Sequence, residues 1–563
     1  PKGFIVTRKT SMHPRLLPGL AAALVLAMQV PAAAAPASDV DLCTTNATES
    51  AVRAAACSRL IDGKAYGGND LAIVYNNRGI AYRRQNDLDR AYADYSESIR
   101  LNPNYDTAYY NRALVWSARK EPDKALEDYT AAVTINPNNA DAFNNRGLIH
   151  QARGDSARAL ADYDAALKAD PKMAKTFYNR GVVYAGRNEV DRAIAEYTEA
   201  IRFDPKDPDA LINRGNLYQR KNEYDRAIAD YTVAQRLNPK DPDITFNRGN
   251  AYRLKGNNDA AISDYTTAIS LSPRLIGAYN NRSISFFNKK QYDRAIADAS
   301  EAVRIDATYY RGFLNRADAY FEKHDYDRAI ADYSEALRLN ENNLNGLKGR
   351  ARSLRAQGDY DRALVDYDAA IKLDPNDHIA FNNRGVVWEN KGDIDRAIAD
   401  YSETLRLNPK YPLALRNRGN LWDKKGDLDK ALADYDEAIR VDPKDAVSFN
   451  NRGDTHDKKG DFDKALADFT EAVRLDARYT LAYQNRAGLL RRKGDNFAAL
   501  RDANQVLLLT PQSAYAYVIR GDVLRAIGRR DDAVKDYRKA LDLKPSDVAK
   551  RQAEAGLKEL GAQ

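Results

Sequence analysis

Cysteine is almost missing from this chain of 563 residues: there are 2. Two cysteines cannot staple so long a chain, which excludes a disulfide scaffold. Histidine (5), methionine (3) and tryptophan (3) are also sparse. No glycine-rich phosphate loop or nucleophile elbow occurs. An excess of one charge is missing too, with 87 basic residues against 80 acidic ones and a formal charge of +7. Four of those charges, Lys2, Arg8, Lys9 and Arg15, lie in residues 1–37 with no acid among them, which leaves +3 on the remainder. A nucleic-acid reading thereby loses its main support. The sequence is otherwise 44% hydrophobic, 30% charged and 9% aromatic. That describes a folded chain long enough for several domains or a repeat array.

One apolar run stands out, from Leu16 to Val30, with Arg15 before it and Pro31-Ala32-Ala33-Ala34-Ala35-Pro36-Ala37 behind. A basic start, an apolar stretch and small-residue steps predict a secretory signal peptide over 1–37, cleaved after Ala34 or Ala37. The alternative is a membrane anchor, but the run is shorter than the roughly 20 residues that a spanning helix needs. Met12 offers an alternative start and a shorter leader. The expected location is periplasmic or secreted, with no transmembrane segment after cleavage. Val40-Asp41-Leu42 lacks the small residue that lipidation would put before Cys43. In an exported chain Cys43 and Cys57 suit a local disulfide, the alternative being two free thiols.

The body repeats. Asn77-Arg78 returns as Asn111-Arg112, Asn145-Arg146 and onward to Asn485-Arg486, always 34 residues apart; carried on to Arg520, this gives fourteen units over 72–547 without insertion or deletion. With Ala72 as position 1, position 20 is always Ala and position 8 always small. Position 24 is Tyr in eleven units, position 32 Pro in eleven, and position 15 Gly or Asn in eleven. Positions 4, 8 and 11 share a helical face, as do 20, 24 and 27. Gly or Asn at 15 suits the left-handed residue that ends a helix, Pro122 suits the first turn of the next, and Pro at 32 stops it. Each unit is a helix–turn–helix hairpin that must stack on its neighbours to bury its apolar face.

This pattern resembles the tetratricopeptide repeat family, whose 34-residue hairpins carry small residues at 8, 20 and 27, aromatics near 4, 11 and 24, and Pro at 32. The resemblance implies an all-α fold, a right-handed α-solenoid superhelix. Position 7, aliphatic in the family, is Arg in every unit here. Residues 38–71 read as an N-terminal segment with a half-repeat cap, Ala51 to Ile61. Residues 548–563 read as a closing helix that Ser546 can cap.

Positions 2, 6, 9 and 13 face out of the hairpin, on the side that lines the concave, partner-binding groove in the tetratricopeptide family. Position 6 is Asn in twelve units: Asn77, Asn111, Asn145, Asn179, Asn213, Asn247, Asn281, Asn315, Asn383, Asn417, Asn451 and Asn485. Asn is a mediocre mid-helix residue, and packing gives no reason for it on an outward face. Its amide both donates and accepts, so a row can pair with an extended backbone of any sequence. The row resembles the asparagine ladder in the tetratricopeptide superhelix of protein O-linked N-acetylglucosamine transferase. No transferase domain accompanies the repeats, so only the binding mode is implied. Shared ancestry of copied repeats is the alternative, though positions 2 and 9 have diverged. Arg at 7 and an acid at 23 recur in every unit, which suggests a structural ladder of ion pairs within or between units. The alternative is a row of arginines gripping ligand carboxylates.

Catalysis is not expected. His13 is in the leader, His150 and His456 fill aromatic slots at position 11, and His324 and His378 lie near unit ends, so no metal or catalytic cluster forms. The expected role is a non-enzymatic interaction scaffold of the cell envelope, without cofactor. It would hold extended segments of other envelope proteins, with Arg352, Lys424 and Arg492 adding selectivity. The alternatives are a self-assembling oligomer and an accessory factor for polysaccharide export.

Overall fold

The computed structural model describes residues 37–46 and 48–562. The expected signal peptide lies outside them, apart from Ala37. All regular structure among the described residues is α-helical. The chain divides into two compact units, one ending at Gln291 and one beginning at Tyr292. Each is a run of antiparallel helix pairs in which every helix packs against its chain neighbours, an all-α solenoid. No helix among the described residues is long and apolar enough to cross a membrane.

The second repeat shows the local logic. Its first helix, Asp106–Ala118, is followed by a turn at Lys120, whose φ is 60°. Its second, Pro122–Ile135, starts on a proline whose missing N–H costs nothing in the first turn. In eight other repeats an Asp or Asn at position 16 caps the second helix, as Asp393 does by accepting from the Arg396 N–H. Where position 8 is Gly, the aromatic ring at 24 packs directly against it. A Cβ on Gly79 would fall 2.7 Å from the Tyr95 ring, and one on Gly419 would fall 2.8 Å from Tyr435. Together with the buried alanines at 20, this close approach lets one ring fill the space between two backbones.

The first unit opens on two helices, Ala37–Thr44 and Ser50–Asp62, joined by a disulfide between Cys43 and Cys57. Arg53 is buried between them. It donates to the Cys43 carbonyl at 2.9 Å and to the side-chain oxygens of Asn46 and Asn77, each at 3.0 Å. Burial lowers its pKa to about 10, which still leaves it charged at neutral pH. The second unit closes with helix Asp547–Glu559. The Ser546 hydroxyl accepts from the Ala549 N–H, and Ala549, Ala553 and Leu557 pack onto the last repeat.

Candidate functional site

In each unit the first helices of successive repeats touch one another directly. Their shared face carries positions 2, 6, 9 and 13, and the asparagines run along it. The neighbouring repeat supplies the packing reason that a single helix does not show. Asn111 Nδ2 donates to Asn76 Oδ1 at 2.9 Å, Asn179 to Asn144 at 3.0 Å, and Asn485 to Asn450 at 3.0 Å, each acceptor being position 5 of the preceding repeat. Asn213 reaches Tyr178 Oη at 3.2 Å in the same way. Asn281 and Asn451 turn instead to position 9 of the preceding repeat, Asn250 at 2.7 Å and Asn420 at 2.9 Å. Asn145 donates to Tyr129 Oη at 3.4 Å, and Asn77 accepts from Arg53. Asn111 and Asn213 are buried, whereas Asn247, Asn315, Asn383 and Asn417 are half-buried. At least eight of the twelve amides are thus held by a neighbouring element, and each bond uses only part of an amide's capacity for two donors and two acceptor lone pairs.

Position 9 is polar in seven of the fourteen repeats. The core tyrosines reach through the hairpin to it: Tyr231 Oη donates to Asn216 at 2.6 Å, Tyr265 to Asn250 at 2.8 Å, and Tyr333 to Asp318 at 2.5 Å. Burial pushes the Tyr265 phenol up to about 12, so it is a neutral donor. Among the described residues no hydrogen-bond partner reaches the buried hydroxyls of Tyr95, Tyr197 and Tyr367.

The position-7 arginines are structural. Arg384 Nε and Nη2 grip Asp400 at 2.9 and 2.7 Å, while its Nη1 reaches Asp368 of the preceding repeat at 2.6 Å. Arg112 does the same with Asp128 and Ser96, and Arg350 with Asp366 and Ser334. Each staple therefore closes its own hairpin and binds it to the one before. With these donors committed inside the chain, the ligand-gripping reading of the row has no structural support. Burial pushes the Asp400 carboxyl up, whereas the hydrogen bonds that Arg384 donates to Asp400 hold its guanidinium above the ordinary range. The guanidinium decides the charge state: arginine remains a cation, and the pair stands ionised at neutral pH.

One ladder escaped the sequence reading. A base at position 14 pairs with the Asp at position 18 of the preceding repeat, as in Lys221–Asp191 at 2.8 Å and Lys255–Asp225 and Lys425–Asp395, both at 2.5 Å. The signal was there, as opposite charges 30 residues apart. Its exposed aspartates make each pair worth little. His150 is buried near Asp162, and burial lowers its pKa. No group of three or more His, Cys, Asp or Glu among the described residues could hold a metal ion.

These features define a helical-repeat scaffold with a row of asparagines along the first-helix face of each unit. Tetratricopeptide repeat models match residues 72–105 and 107–139, then 144–208, 212–275, 314–378, 348–412, 389–446, 434–467 and 485–548. The chain belongs to the tetratricopeptide repeat family, an architecture of protein–protein interaction scaffolds. Among solved structures it is similar to the APC/C hetero-tetramer Cut9–Hcn1, with 16% identity over 84% of this chain and 93% of that one and a TM-score of 0.37. It is similar to YrrB, described as a TPR protein with an unusual peptide-binding site, at 23% identity over 33% and 97%, TM-score 0.30. A tetratricopeptide repeat protein from Parabacteroides merdae matches at 21% identity over 44% and 98%, TM-score 0.36. No curated protein matches the chain.

Proposed function

We propose that this protein is exported through the leader of residues 1–37 and acts in the cell envelope as a non-catalytic scaffold. It holds extended segments of other proteins against the first-helix face. The observation that carries the reading is the asparagine row: amides fixed by repeat-to-repeat hydrogen bonds, with donors and acceptors left over for a main chain laid across them. Order already present in the free protein lowers the entropy cost of binding. The test is a crosslinking pull-down from envelope extract, run beside a variant with the half-buried Asn179, Asn281 and Asn451 changed to Ala, with circular dichroism confirming that the variant is folded. Partners captured by the parent and lost from the variant support the reading; equal capture by both overturns it.

A further inference from the structure

Where the cap meets the first repeat, positive charge accumulates that the scaffold does not neutralise. Helix Gly68–Arg84 closes on Arg83 and Arg84, both half-buried. Behind them lies the buried Arg53, whose three acceptors, the Cys43 carbonyl and the side-chain oxygens of Asn46 and Asn77, are all neutral. The three arginines share one corner. Arg84 Nη1 donates to the Asn46 carbonyl at 2.9 Å, while Arg53 Nη1 donates to the Asn46 side chain at 3.0 Å. The Arg84 charge adds to the lowering that burial imposes on the Arg53 pKa, and the buried Tyr95 phenol feels the charges of both Arg83 and Arg53.

No carboxylate compensates them: none of the three has an ion pair among the described residues. The acids of the surrounding helices are committed or stand apart. Asp39 is paired with Arg59, Asp94 with Arg78 and Asp87 with Arg90. Asp62 and Asp70 sit at the opposite end of the helix pair Ser50–Asp62 and Gly68–Arg84. Asp41 and Glu49 are exposed and pair with none of the arginines. A helix C-terminus itself offers only roughly half a negative charge, which three cations exceed. Repeat 13 ends its first helix on the same dipeptide, Arg491-Arg492, and there the preceding repeat meets Arg492 with Asp457. Ahead of repeat 1 the disulfide-bonded cap presents the neutral Asn46 instead.

We infer that this corner is an oxyanion site, in which Arg83 and Arg84 donate directly to a phosphate or sulfate group and Arg53 is the fixed charge behind them. Guanidinium forks match such oxygens in geometry and are weakly hydrated, and a dianion balances charge that one carboxylate leaves over. The inference does not depend on the asparagine-row reading. The test is isothermal titration of the full chain at fixed ionic strength and pH 7.5 with inorganic phosphate, inorganic sulfate, glycerol 3-phosphate and acetate. The expected result is one site per chain that binds phosphate and sulfate at least tenfold more tightly than acetate. Binding should weaken at least tenfold in R83Q/R84Q and stay unchanged in R491Q/R492Q. Circular dichroism confirms that both variants are folded; if R83Q/R84Q is not, R83Q, which breaks no ion pair, replaces it. Glycerol 3-phosphate binding as tightly as phosphate, or more so, supports the site and assigns it to an esterified group; weaker binding supports it with the free ion as ligand. Absence of phosphate binding, or equal binding by R83Q/R84Q, overturns the site. Equal losses in R491Q/R492Q reduce it to general screening and overturn it as well. Acetate binding as tightly as phosphate overturns the choice of anion.

Discussion

If the asparagine row is a structural ladder as well as a binding face, its rungs must be coupled in pairs. Asn111 and Asn76 provide the cleanest case, because they are 5% and 2% exposed and joined by a 2.9 Å amide bond. Asn111→Ala removes a hydrogen bond worth about 0.5–1.5 kcal/mol and leaves the Asn76 oxygen buried without its donor, so the total cost is about 2 kcal/mol. Asn76→Ala alone costs a similar amount. With both removed neither partner is orphaned, and the double variant should fall short of the summed singles by about 1 kcal/mol. A long repeat array opens locally, so the assay is native-state hydrogen exchange in helices Gly68–Arg84 and Asp106–Ala118. At about 1.4 kcal/mol per tenfold, Asn111→Ala should speed exchange there by about 30-fold. Additive single costs, or less than a twofold change in exchange, would refute the ladder.

Lys120 holds a left-handed conformation that glycine takes in other repeats, so Lys120→Gly should raise the thermal midpoint with a gain of about 1 kcal/mol. His324→Gly should gain less, because its Nδ1 contact to Tyr326 Oη at 2.9 Å is lost. Asp400→Asn leaves the Arg384 guanidinium without its main counter-charge and should cost about 2–3 kcal/mol in a urea melt, after discounting for partial exposure. Asp436→Asn, on the 62% exposed arm of the Arg452 staple, should cost under about 1 kcal/mol in the same assay. The capping carboxyls of Asp393 and Asp427 are held below the ordinary range by their hydrogen bonds to Arg396 and Lys430. Their stabilisation is complete above the unfolded value of about 3.9 and is lost as pH falls below it. Helicity by circular dichroism should therefore hold from pH 7 to about pH 5 and decline below about pH 4; loss beginning near pH 6 would contradict this assignment.

The fold was legible because its causes lie at fixed positions in a repeating unit. Gly79 and Tyr95, sixteen residues apart, reveal a close helix pair before any coordinates do. Turn residues were only partly legible. Lys120, Lys290 and His324 lack the usual preference for positive φ, yet adopt φ of 60°, 58° and 61° because the flanking helices dictate the turn. The helix Ala37–Thr44 carries no repeat phase and went unread. What a single hairpin hid were the contacts between repeats. The Asn111 partner is 35 residues away and the Asn281 partner 31. A helical wheel shows which way a side chain points but not what the next helix brings to meet it. Whether the arginine pairs act within or between units stayed open in the sequence for the same reason; Arg384 and Arg350 do both.

The use of the first-helix face by a partner is tested most directly by site-specific photo-crosslinking in envelope extract. A photoreactive residue is placed at Asn417, on the asparagine row, or at Ala433, exposed on the second helix Leu428–Val441 of the same repeat. A partner adduct from position 417 that is absent from position 433 is the predicted outcome. Adducts from position 433 alone would contradict the proposed binding face.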